Sequence, residues 1–182
     1  RVILAISAHH AELLPWLMKK AVPSAMLADT QNARMAIYTK KGDRGKTSLF
    51  NGKKVSKNSP IIHALGSLDE ANSWLGIVGG FTEIQKDLMT VSSILAGAKL
   101  NFSPSKTKDL EKRIDKLEKT LPKLKGFVIP QGESAKLHFA RSLIRRAERA
   151  AIAISNLSAV RSSLLTYLNR LSDYLFMKAR ES

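Results

Sequence analysis

Leu137, Ala140, Ile144, Ala147, Ala151 and Ile154 recur at alternating spacings of three and four, which is the seam of an amphipathic helix packed into a bundle. That face is core. His138, Arg141, Arg145 and Arg149 form a second line up the same helix, with Arg146 and Glu148 beside it. Residues four apart are neighbours on a helix, so guanidiniums stacked this way repel unless something anionic lies along them. Two readings fit the line: the wall of a phosphate site, or a solvated basic face.

Other segments share the helical period. Asn58-Ser59-Pro60 is a cap followed by a first-turn proline, and Ile61, Leu65, Leu68, Leu75 and Val78 predict a helix to about Gly79, with Asp69 and Ser73 on its other side. Ile84, Leu88, Val91, Leu95 and Ala98 mark a second helix. Leu110, Ile114, Leu117 and Leu121 mark a third, densely charged one that Pro122 ends. An apolar, turn-rich link, Gly126–Gly132, leads into the arginine helix, and Leu164, Leu168, Leu171 and Leu175 define a fifth helix that bears Tyr167, Asn169, Arg170, Asp173 and Phe176. Five helices without a strong strand pattern predict an all-α antiparallel bundle.

Ile37–Gly52 carries three glycines and little helical period, so a loop is expected, with a short extended piece at Ile37–Thr39. Lys40, Lys41, Arg44, Lys46, Lys53, Lys54 and Lys57 crowd it against the single acid Asp43. Glycines let backbone N–H groups turn towards a ligand, while lysines add charge and Thr39, Thr47 and Ser48 add hydroxyls, together a phosphate cradle. The alternative is a basic arm without a site. A Walker loop is excluded, because Lys40 stands where its leading glycine belongs.

A chain of 182 residues suits one domain with its own core. Cysteine is absent, which excludes disulfides, thiolate metal sites and cysteine nucleophiles. The histidines His9, His10, His63 and His138 show no metal-ligand spacing. The net charge of +15 favours polyanions without separating nucleic acid, nucleotide and acidic membrane. No apolar run reaches the roughly 18–20 residues of a membrane span. Residues 1–34, interrupted by Pro15 and Pro23, differ in composition and fit a secretory signal poorly. They are expected to be an extension, a targeting remnant or translated upstream sequence, with a short amphipathic helix around Ala11–Lys20 and the domain proper starting at Met35. The absence of an initial methionine suits an incomplete or processed chain.

Four blocks, YTKKGDRGKTSLFNGKKVSK, ALGSLDEANSWLG, FVIPQG, and HFARSLIRRAER followed by LNRLSDYLF, in this order resemble the PduO-type ATP:cob(I)alamin adenosyltransferases. The likeness runs from Met35 to Arg180. It implies a five-helix bundle with an N-terminal phosphate-binding loop, assembled as a homotrimer with active sites between subunits. It implies that Thr39, Lys40, Lys41, Gly42, Thr47, Ser48 and Lys57 enclose ATP, with Arg141, Arg145 and Asn169 from the last two helices. Arginine forks suit phosphate oxygens, and a helical asparagine can read adenosine. By the same resemblance Asp69 pairs with Arg141 across the interface, and Phe127 presses on the corrinoid face where the lower ligand normally binds. Magnesium rides on the triphosphate, and no metal is held by the protein alone.

The implied reaction is attack of cob(I)alamin cobalt on the 5′-carbon of ATP, giving adenosylcobalamin and triphosphate. The reduced metal is itself the nucleophile, so the protein works by positioning and electrostatics. Lys41 departs from the family's usual threonine, Pro130-Gln131-Gly132 replaces the usual PGG turn in a shortened link, and the hairpin around Gly79–Glu83 is cut short. These changes bear on the corrinoid side more than on ATP, and they keep a second reading in view, a cobalamin carrier or chaperone with weak catalysis. On residue type alone, Phe127 also reads as a core plug closing one end of the bundle. A basic bundle binding nucleic acid fits worst, because aromatics do not interleave the basic residues. A cytoplasmic location is expected, organellar if residues 1–34 are a targeting segment, with a reductase and a cobalamin-dependent acceptor enzyme as partners and no membrane contact.

Overall fold

The computed structural model describes residues 40, 42–155 and 162–182. Two short strands, β1 (Lys46–Ser48) and β2 (Lys54–Ser56), precede α1 (Pro60–Val78), α2 (Thr82–Leu95), α3 (Ser105–Thr120), α4 (Gly132–Ala153) and α5 (Ser162–Glu181). The expected extended piece at Ile37–Thr39 and the expected helix at Ala11–Lys20 lie outside the described residues.

α4 is the hub, packed on α1 along one side and on α5 along the other, with α2 against α1 and α3 against α5. Its seam is buried throughout, from Leu137 to Ile154 at the C-cap. Side-chain pairs fix the directions. Glu70 meets Arg146 and Trp74 meets Phe139, so α1 and α4 are antiparallel. Glu148 meets Asn169 and His138 meets Phe176, so α4 and α5 are too. Glu111 meets Arg170 and Arg113 meets Tyr174, so α3 runs parallel to α5. Consecutive helices therefore alternate, as the sequence led us to expect, and the parallel pair arises where two helices of the same sense become neighbours.

The α1–α2 connection depends on Gly79 and Gly80, with φ of 78° and 75°, a region where a side chain would be strained. Ser59 holds the N-cap position before Pro60, but its hydroxyl donates backwards to the Ser56 carbonyl at 2.7 Å. Tyr167 is fully buried and donates to Asp87 at 3.0 Å, and Asp87 in turn takes Lys106 at 3.1 Å. Burial, then the Asp87 charge, push the Tyr167 phenol well above its ordinary pKa.

Three expectations are corrected. Part of the glycine-rich stretch is a hairpin rather than a loop, because Leu49 is buried and its N–H and carbonyl close the turn through Lys53 and Gly52, both at 2.9 Å. Its strands are too short for an alternating pattern to stand out. His138 does not belong to the exposed basic line; it is 4% exposed, beside the ring of Phe176. Phe127 is no core plug in this chain, since it stands wholly exposed on the link before α4.

Candidate functional site

The hairpin gathers cations at the end of the bundle where α1 begins. Lys46, Lys53, Lys54, Lys57 and Arg44 are all exposed there. The Lys57 N–H donates to the Gly45 carbonyl at 2.8 Å, and its side chain lies across Gly42, where an added Cβ would come within 3.2 Å of Nζ. Gly42 and Lys57, both expected in the ATP loop, are thus brought together. Thr47 and Ser48 are half-buried on β1, and Lys40 is exposed with a φ of 55°. Thr39 and Lys41 lie outside the described residues.

Halfway along the bundle, α4 presents its arginines in unequal states. Arg146 is committed to Glu70 of α1. Arg145 and Arg149 are exposed, and among the described residues neither meets a carboxylate. Arg141 is half-buried; its guanidinium carbon lies 5.9 Å from the centre of the Phe176 ring, and its Nε has no hydrogen-bond partner among the described residues. Asn169 on α5 donates to Glu148 of α4 at 3.2 Å, which brings the asparagine alongside the arginine helix. Asp69 is half-buried on α1. Three guanidiniums that meet no carboxylate among the described residues, with an amide beside them, form an anion-binding wall that can also read a polar base or sugar.

The link carrying Phe127 is fastened at the other end of the bundle. Arg180 near the end of α5 donates to the Pro122 carbonyl, and Trp74 near the end of α1 donates to the Lys136 carbonyl at 2.9 Å. Along the link Phe127, Val128, Ile129 and Leu124 are exposed, an apolar strip facing outwards. The hairpin and this link are separated by the length of α1, 19 residues or about 28 Å. Among the described residues no cluster of three or more His, Asp or Glu side chains is placed to hold a metal ion, and no helix is long and apolar enough to cross a membrane.

The sequence profile of the family described as cobalamin adenosyltransferase matches residues 37–182. The chain belongs to the cobalamin adenosyltransferase family. It is 35% identical over 166 residues to the corrinoid adenosyltransferase of Bacillus subtilis, covering 80% of this chain and 86% of that one. It is 39% identical over 165 residues to the corrinoid adenosyltransferase PduO of Citrobacter freundii, covering 80% of this chain but 49% of the relative, so it spans about half of that protein. Among solved structures, a phenylalanine-to-alanine variant of a PduO-type ATP:corrinoid adenosyltransferase from Lactobacillus reuteri, complexed with cobalamin and ATP, superposes with a TM-score of 0.76 at 32% identity over 80% of this chain and 92% of that one.

Within this adenosyltransferase-family chain, sequence reasoning missed the roles of Glu70, Glu148, Phe176 and Arg180. Glu148 had a signal, since it follows Arg145 by three and lies on the edge of the basic line. The others carry no local mark. Glu70 and Arg146 are 76 residues apart, and a partner that distant is recognisable only once α1 and α4 are seen to be neighbours.

Proposed function

We propose that the protein transfers the 5′-deoxyadenosyl group of ATP to cob(I)alamin, forming adenosylcobalamin and releasing triphosphate. The observation that carries this reading is the set of guanidiniums on α4, Arg141, Arg145 and Arg149, without carboxylate partners among the described residues and beside Asn169. Family membership supplies the reaction class, and the related structure with cobalamin and ATP supplies the two substrates. Residues 35–182 form the catalytic domain, with 1–34 as an extension.

In this reading Gly42, Lys57, Thr47 and Ser48, with Thr39, Lys40 and Lys41, enclose the nucleotide. Arg141 and Arg145 hold the triphosphate, gaining strength as negative charge builds on the leaving group. Magnesium belongs to the nucleotide rather than to a protein cage. Phe127 lies against the lower face of the corrin, excluding water and the lower ligand so that cobalt(II) accepts an electron more readily. Cobalt then attacks the 5′-carbon, the bond to the triphosphate oxygen breaks, and a cobalt–carbon bond forms. No side chain need act as nucleophile or base.

The site is completed between subunits of a homotrimer. The cationic hairpin and the Phe127 link are anchored at opposite ends of one bundle, which supports a neighbouring chain supplying one of them. Arg141, whose Nε has no partner within the described chain, then meets Asp69 of the next subunit. The enzyme works in the cytoplasm, or in an organelle if the extension is a targeting segment, with a reductase supplying electrons and a cobalamin-dependent enzyme receiving the product.

The test is to supply chemically reduced cobalamin, ATP and magnesium, and to look for the light-sensitive adenosylated product. Formation of that product at a rate proportional to protein supports the assignment. Stoichiometric cobalamin binding without product would favour the carrier or chaperone. Salt-dependent binding of any DNA, without protection by ATP, would favour a nucleic-acid bundle.

A further inference from the structure

Phe176, on α5, gathers charge from two directions. Arg141 of α4 and Arg180 of its own helix each bring a guanidinium carbon to 5.9 Å from its ring centre, and His138 packs edge-on at 5.9 Å between centroids. A phenyl ring presents negative π-density to cations, so it holds two guanidiniums that bare proximity would drive apart. Arg180 reaches further. Its Nη2 donates to the carbonyl of Pro122, the residue where the link to α4 begins, and its Nη1 lies 3.5 Å from the Met177 sulfur. One side chain therefore touches both the ring that flanks Arg141 and the base of the segment bearing Phe127.

We propose that Arg180 is a positioning residue for the corrinoid half of the reaction: by stacking on Phe176 and bonding the Pro122 carbonyl, it sets where the Phe127 link leaves the bundle relative to Arg141. The proposal rests on the reading of Phe127 as the residue beneath cobalt. From Pro122 to Gln131 every residue is exposed, and a helix side chain ties each end of that stretch to the bundle, Arg180 of α5 at the Pro122 carbonyl and Ser134 of α4 at the Gln131 carbonyl, the latter at 2.8 Å. Ten residues without a core anchor take their direction from such ties, and a displacement of about 1 Å at a reacting centre is enough to cost orders of magnitude in rate. Arg180 needs no contact with either substrate. Phe176, by contrast, serves both halves, because Arg141 shares its ring.

The experiment compares Arg180→Ala, Arg180→Lys and Phe176→Leu in the full chain, with steady-state kinetics for ATP and for cobalamin measured separately and cobalt(II) coordination followed by spin resonance with ATP present. Arg180→Ala is expected to raise the KM for cobalamin about tenfold and reduce the four-coordinate cobalt(II) signal, with the KM for ATP within about twofold of wild type. Arg180→Lys keeps a donor for the Pro122 carbonyl and should recover most of the cobalamin affinity. Phe176→Leu should raise both KM values. Melting temperatures are recorded for each, and for the Arg180 variants a purely structural role predicts losses that follow melting temperature and fall equally on both substrates; that pattern overturns the proposal. Phe127→Ala is the reference. If it abolishes the four-coordinate signal while Arg180→Ala leaves the signal and the cobalamin KM unchanged, Arg180 has no positioning role and the Phe127 reading stands. If neither variant alters the corrinoid parameters, both readings fall.

Discussion

Asn169 on α5 donates its amide to the Glu148 carboxylate on α4 at 3.2 Å. The bond fixes which end of the amide faces the helix, leaving the Asn169 carbonyl for a donor such as the adenine amino group. It also places an acid within one turn of Arg145 and next to Arg149. Glu148→Gln can offer the wrong amide end to Asn169 and removes the charge, so the KM for ATP should rise several-fold with a melting temperature close to wild type. Titration of ATP against each protein checks this, and unchanged ATP affinity would remove Asn169 from the nucleotide site.

Arg145 and Arg146 are sequence neighbours with opposite expected phenotypes. Arg145→Ala removes a preorganised donor from the leaving group, a loss of about 3–4 kcal/mol or a hundred- to thousandfold in rate. Arg146→Ala breaks a half-exposed ion pair with Glu70, and such pairs contribute about 0–1 kcal/mol to stability. Turnover at saturating ATP, beside a denaturation midpoint, separates the two. Comparable losses of turnover in both variants would show that the triphosphate does not run along the Arg141–Arg145–Arg149 line.

The helical part of the fold was legible because its signal is periodic: Leu137 to Ile154 on α4 and Leu164 to Leu175 on α5 repeat over many turns, and every seam position is buried. The hairpin was not, since Lys46–Ser48 and Lys54–Ser56 are three residues each and only the burial of Leu49 betrays their packing. For the site, sequence gave the arginine line but could not sort it. His138 stands one turn before Arg141 and reads as its companion, yet α5 closes over it through Phe176. Arg146 looks as free as Arg145 until Glu70 is found opposite. Which side of α4 each residue occupies depends on where α1 and α5 pack, a long-range fact absent from any short stretch.

Asp69→Asn tests the assembly. If Asp69 orients Arg141 of the neighbouring chain, the substitution should lower kcat and raise the KM for cobalamin while leaving the melting temperature almost unchanged, since an interface charge contributes little to the bundle core. Light scattering should give a trimer at micromolar concentration for the wild-type protein. A monomer there would leave the pairing of Asp69 with Arg141 without a basis.

His138 gives the chain a stability profile on the acid side of neutrality. Burial, and then the charge of Arg141, hold its imidazole below the ordinary value, which is about 6.5. Neither ring nitrogen has a hydrogen-bond partner among the described residues, so protonation would bury an uncompensated cation beside Phe176 and Arg141. The sign follows from proton linkage. Below about pH 6.5 the unfolded chain takes up a proton that the folded chain resists, so unfolding is favoured and stability falls as pH falls. Above that pH both states are neutral at this site and the term vanishes. Wild-type protein should therefore lose melting temperature between pH 7.5 and 5.5, and His138→Leu, similar in bulk but without a proton to gain, should lose distinctly less over the same interval. His63, exposed and bonded to Asn58 at 2.9 Å, is common to both proteins and cancels in the comparison. Parallel melting curves for wild type and His138→Leu across that range would mean that the buried imidazole finds a partner in the assembled protein, and Asp69 of a neighbouring chain would be the first group to examine.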